Sequence, residues 1–180
     1  MNKIIILIVL VISATGIWSQ EVKKPTSMTR KEKKELELDK EYQMNKSILD
    51  NRDFVLEANY LQDRFGNRRI VNSVINFVAV DSVTAIIQVG SDYRNGPNGV
   101  GGITAKGRIT KWQLTKDKKS RSFNLTINVM TSIGIYDLHF SIGLWGNSTV
   151  MLSGLSAGQL TFEGNLVPYS ESSVFEGRSL

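Results

Sequence analysis

From Arg52 onward, apolar and polar residues change places at every second position. Phe54, Leu56, Ala58 and Tyr60 alternate with Val55, Glu57, Asn59 and Leu61. Val74–Val80 and Thr84–Val89 are rich in β-branched residues, with Asp81-Ser82 between them as a hairpin turn. Ile103, Ala105, Gly107 and Ile109 alternate with Thr104, Lys106, Arg108 and Thr110, and Trp112 and Leu114 continue the apolar set. Phe123–Val129, Tyr136–Leu144, Val150–Leu152 and Leu160–Leu166 repeat the pattern, and Val174 and Phe175 mark a short final segment. Turn residues separate these runs: Gly66-Asn67, the charged Thr115–Ser120, and Gly146-Asn147. A period of two with one apolar face is the signature of a half-buried strand. The pattern predicts eight to ten short antiparallel strands, a mainly β domain over residues 51–180 closed as a small barrel or stacked as a sandwich.

Before Arg52 the pattern is helical. Thr29-Arg30-Lys31-Glu32 is a capping box, and the residues after it are good helix formers with no glycine or proline. Leu38, Tyr42 and Leu49 fall on one face, with Met44 and Ile48 beside them. One amphipathic α-helix is expected over residues 29–50, its C-terminal half docked on the β domain. Glu21–Ser27, with Lys23, Lys24, Pro25 and Thr26, reads as a short flexible linker. Earlier still, Lys3 precedes an unbroken apolar run, Ile4–Ile12, followed by Ser13, Ala14, Gly16 and Ser19. This is the order of a secretory signal peptide over residues 1–19, cleaved after Ser19 or after Gly16. The apolar run is short of the ~20 residues a membrane helix needs, so no transmembrane span is expected after cleavage.

Composition sharpens this picture. The chain has no cysteine, which excludes disulfides, a thiol nucleophile and a lipid anchor on an N-terminal cysteine. An exported protein, periplasmic or extracellular and not a lipoprotein, then holds together by core burial alone. The formal charge of +5 is dispersed along the chain, a weak footprint for nucleic acid.

The glycine-rich stretch Gly90–Gly107 is the one segment that invites a phosphate-binding reading. A P-loop needs lysine after its last glycine, and Gly102 stands there instead. A dinucleotide fingerprint needs a third glycine where Thr104 stands, and a helix where a strand follows. The chain therefore carries no recognisable cofactor-binding motif. Positive φ is expected at Asn95-Gly96 and Asn98-Gly99, with Pro97 fixing a turn. The functional alternative is a ligand or partner loop comprising Asp92, Tyr93, Arg94, Asn95, Gly96, Pro97, Asn98, Gly99, Gly101, Gly102 and Thr104, because loops at barrel mouths commonly carry function.

Elsewhere the chemistry is sparse. His139 is the single histidine, on the polar face of its strand with Asp137 and Ser141 as same-face neighbours. A nucleophile elbow is missing, and "LSGLSAG", with Ser153 and Ser156, has a turn setting. Trp112 and Trp145 are expected in the core, or lining a cavity. No catalytic or metal-ligating residue is assigned.

Seven segments together resemble a bacterial family of secreted proteins, domain of unknown function family 4251. They are "FVLEA" (Phe54–Ala58), "NFVAVD" (Asn76–Asp81), "QVGS" (Gln88–Ser91), "GPNGVGGIT" (Gly96–Thr104), "NVMTSIG" (Asn128–Gly134), "LTFEGNLVP" (Leu160–Pro168) and the closing "FEGRSL". The resemblance implies a lipocalin-like barrel of about eight strands after a charged helix, and implies no known activity. The expected function is a non-enzymatic binding or accessory module for a small apolar or amphipathic ligand. The alternatives are an envelope interaction protein, using the helix or a barrel edge against a protein partner, and a hydrolase with a carboxylate pair.

Overall fold

The computed structural model describes residues 28–91, 96–154 and 158–180. The signal peptide, the linker, Asp92–Asn95 and Ser156 lie outside the described residues. Helix α1 spans Arg30–Asn51. Thr29 is its N-cap, and the capping box is formed: Thr29 Oγ1 accepts from the Glu32 amide at 3.2 Å, and Glu32 accepts from the Thr29 amide at 2.7 Å. The helix ends because Arg52 turns left-handed, at φ 56°, and its amide caps the Ile48 and Leu49 carbonyls.

Nine strands follow among the described residues: β1 (Asp53–Asp63), β2 (Arg68–Ile70), β3 (Phe77–Asp81), β4 (Thr84–Val89), β5 (Ile103–Asp117), β6 (Ser122–Thr131), β7 (Gly134–Ile142), β8 (Asn147–Gly154) and β9 (Leu160–Pro168). All pairings are antiparallel, and β9 returns to pair with β1. Strands β1 and β3–β9 therefore form a closed eight-stranded barrel, which decides the architecture between barrel and sandwich. The first half of β1 pairs with β3, and the second half with β2, through Tyr60–Ile70, Leu61–Arg69 and Gln62–Arg68.

The apolar face points inward. Phe54, Leu56, Val80, Phe123, Leu125, Ile127, Leu138, Phe140, Ile142 and Phe162 are buried in one cluster. Phe54 meets Phe140 edge-on at 5.7 Å between ring centres. Such packing fills this part of the interior at side-chain density, and full burial of each large apolar side chain is worth about 1.5–3 kcal/mol.

Two β-bulges change the expected facing. One falls between Ala58 and Tyr60 on β1. Leu61 therefore turns in to join the core, and Tyr60 turns out, where the Arg68 guanidinium covers its ring at 3.6 Å. The other falls between Ile109 and Lys111 on β5, which lets both Ile109 and Trp112 face the core. An extra residue resets the period of two. Val74 and Ile75 are also not in a strand: the Asn72 carbonyl caps the Ile75 and Asn76 amides, and β3 begins only at Phe77.

After β9 the chain makes a single 3-10 turn, Tyr169–Glu171, and crosses the outside of the barrel. Val55, Phe77, Ala79 and Ile86 form a second buried cluster on that outer face, with Val167 and Val174 packed on it. Val174 and Phe175 are thus part of a strap, not a strand.

Candidate functional site

The antiparallel order gives the barrel two distinct ends. At one end lie the start of β1 and the β3–β4, β5–β6 and β7–β8 turns. Helix α1 plugs this end. Leu49 is fully buried and Ile48 nearly so, and Tyr42 stacks on Phe123 at 5.0 Å. Asn45, fully buried, donates from Nδ2 to the carbonyls of Leu144 at 2.9 Å and Gly143 at 3.3 Å, while its Oδ1 has no partner among the described residues. Ion pairs ring the plug: Arg121 with Glu35 and Asp39, and Lys116 with Asp50 at 2.6 Å. Lys116 holds the Asp50 carboxyl below its ordinary range. Met44, expected beside the docking face, is exposed instead. Trp145 sits in the β7–β8 turn, 51% exposed, and does not fill the core; Trp112 is half-buried against Phe54 and beneath Arg52.

The other end carries the β1–β2 hairpin and the β4–β5, β6–β7 and β8–β9 connections, and among the described residues no helix covers it. An apolar cup of about 330 Å³ opens there. Its described walls come from Ile87 and Val89 on β4, Ile103 and Ala105 on β5, Tyr136 on β7 and Leu152 on β8, with Gly102 at the rim. A second hollow of about 660 Å³ lies on the β1–β2–β9 side, between Leu61, Val71, Leu160 and the polar Asp63, Asn67, Arg68 and Arg69. The two adjoin, because Leu152 of the cup and Leu160 of the hollow are cross-strand partners. Volumes of this size are typical of small-molecule sites.

The glycine-rich loop contributes to this mouth unevenly. Its framework is Asn98, which is buried. Asn98 Oδ1 accepts from the Val100 and Gly102 amides, and Nδ2 donates to the Val89 carbonyl and to Thr104 Oγ1. Thr104 is fully buried and donates to Gln88 Oε1 at 2.8 Å. Both side chains face the strap, not the barrel interior. Gly177 also donates to Gln88 Oε1, Arg178 donates to the Asn98 carbonyl, and Leu180 donates to the Thr104 carbonyl. Positive φ occurs at Gly99 and Gly101 but not at Gly96. Gly96 and Gly102 are required by close approach instead: an added Cβ would lie 2.3 Å from the Gly102 nitrogen and 2.0 Å from the Val89 carbonyl oxygen, respectively. Gly96 and Pro97 line neither hollow, so of the described loop candidates only Gly102, with its neighbour Ile103, reaches the cup.

The remaining candidates are separate from the mouth. His139 is exposed on the outer face, its Nδ1 3.2 Å from Thr126 Oγ1. Asp137 accepts from Asn128 Nδ2 at 2.7 Å. No hydrogen bond joins His139 to Asp137 or Ser141 among the described residues. No group of three or more His, Asp or Glu side chains gathers as a metal site among them, nor is any described helix long and apolar enough to cross a membrane.

A closed antiparallel barrel with one end plugged by an N-terminal helix and a hollow at the other defines the structural class. The family model for Domain of unknown function (DUF4251) matches residues 36–166, and the chain belongs to that family. Among solved structures it is similar to a DUF4251 family protein from Bacteroides eggerthii DSM 20697, with 29% sequence identity and a TM-score of 0.63 over 78% of this chain and 95% of that one. The curated proteins give no match.

Proposed function

We propose that this chain is an exported, non-enzymatic binding module that takes a small apolar or amphipathic ligand into the unplugged end of its barrel. The observation that carries this reading is the cup itself. Hollow space is left at one end, while the rest of the interior is filled by large side chains. Apolar concavity with a few polar groups is what small-ligand sites have in common. The Lys3–Ile12–Ser19 order supports export.

The test is binding of a neutral fluorescent probe, N-phenyl-1-naphthylamine, to the purified full chain and to Ala105→Phe, whose ring would occupy the cup. Saturable binding that falls at least about tenfold in the variant is expected, since the ring removes the apolar surface that would cover the probe. Equal binding by both would refute the cup as the site. Export is read separately: cell fractionation and the mass of the chain should give a product starting after Ser19 or Gly16, and an intact chain in the cytoplasm would contradict it.

A second reading, an envelope protein that meets a partner by a barrel edge, has one observation in its favour. The β1–β2 hairpin exposes Phe65 by 74% and Ile70 by 82%. Under that reading, Phe65→Ser with Ile70→Ser abolishes recovery of a specific envelope protein and leaves probe binding intact.

A further inference from the structure

The strand pairing places a cation at the mouth that alternation alone does not reveal. Cross-strand partners share a face of the sheet. Leu61 turns inward after the β1 bulge and pairs with Arg69 on β2. Arg69 therefore stands on the inner side of the mouth, in the hollow floored by Leu61, Val71 and Leu160. Its neighbours in that hollow are already engaged. Arg68 pairs with Glu163 and covers Tyr60. Asp63 accepts from the Phe65 amide and from the Asn67 amide and Nδ2, and the Asn67 side chain foremost holds its carboxyl below the ordinary range. Among the described residues, the Arg69 guanidinium has neither an ion-pair nor a hydrogen-bond partner. A guanidinium is a permanent cation with a fork of donors shaped for two oxygens of one anion.

Resting on the binding reading above, we infer that the ligand is an anionic amphiphile. Its head, a carboxylate or a phosphate, pairs with Arg69, and its single acyl chain runs past Leu160 and Leu152 into the apolar cup. Arg69 selects the head and Leu61, Leu160 and Leu152 accept the chain. Asp63 sets a limit on this selection: its charge opposes the ligand's, so the head must sit on the Arg69 side of the hollow.

The experiment displaces N-phenyl-1-naphthylamine from the full chain with four ligands that share a twelve-carbon chain, each kept below micelle formation: dodecanoate, dodecyl phosphate, dodecanol and dodecyltrimethylammonium. At least one of the two anions should displace the probe about tenfold more tightly than dodecanol, and the cation should be weakest, as one charge-assisted hydrogen bond allows. Which anion is tighter distinguishes a free fatty acid from a phosphorylated chain. In Arg69→Gln the anion's advantage should disappear while dodecanol is unchanged, and Arg69→Lys should restore part of it. Added salt should weaken the anions alone. Anions and dodecanol displacing equally, with Arg69→Gln silent, would overturn the head-group assignment and leave the apolar cup standing. No saturable probe binding at all would overturn both.

Discussion

The two ends of this barrel are built from the same alternation of residues and differ in what covers them. At the helix end Leu49 and Asn45 are fully buried, aromatic rings stack, and four ion pairs tie α1 internally or to the strands and the β5–β6 turn. At the mouth, Ile103 is 49% exposed and Tyr136 is only partly buried. The difference separates stability from binding. Substitutions in the plug should act on folding, whereas substitutions in the mouth should act on ligand affinity with little change in folding.

The largest contrast is between Leu49→Ala and Ile103→Ala. Removing a fully buried leucine from the plug should lower the unfolding free energy by about 2–5 kcal/mol. Trimming the exposed Ile103 should change it by less than about 0.5 kcal/mol. Urea titration of both variants measures this, and equal losses would erase the distinction.

A smaller effect is expected at Asn45. Asn45→Ala leaves the Gly143 and Leu144 carbonyls without their donor and should cost about 1–3 kcal/mol. Asn45→Asp exchanges that donor for an acceptor and should cost more than alanine. The same titration ranks the two.

The smallest effect is electrostatic. The Asp50 carboxyl is lowered from its ordinary 3.8, first by its hydrogen bond with Lys116. A lowered folded pKa means the contribution is complete above 3.8 and is lost as pH falls below it. Because Asp50 is largely exposed, solvent screening limits its worth to about 0.5 kcal/mol. The stability curves of the protein and Asp50→Asn should therefore differ at pH 6 and draw together as pH falls below 3.8. A gap that persists in acid would show that the carboxylate is not what ties the plug.

How much of this was legible in the sequence follows from how local each feature is. The start of the helix was readable from Thr29 and Glu32, whose bonds are three residues apart. Most strands were readable from their period and the turns between them; β2 was not, because Arg68–Ile70 carries no apolar alternation. The bulges had a weaker trace. Leu61 is apolar where the alternation called for polar, and Ile109 to Trp112 is three steps where two or four keep the phase. Asn45 gave no trace, because its partners lie 98 and 99 residues away. Gln88 and Thr104 carry no sequence mark of burial. They are buried because a strap from the C-terminus lies over them, and that strap has no period to read. The mouth was legible only in part: Gly102 lay within the glycine-rich candidate loop, but Arg69 faces inward only once β2 is paired with β1.

The central claim is that the unplugged end of the barrel is a ligand site. A crystal structure of the full chain grown with saturating dodecanoate tests it most directly. Acyl-chain density is expected against Ile87, Val89, Ala105, Tyr136 and Leu152, with the carboxylate within hydrogen-bond distance of Arg69. An empty cup at saturation, or a chain bound on the outer face of the barrel, would contradict it.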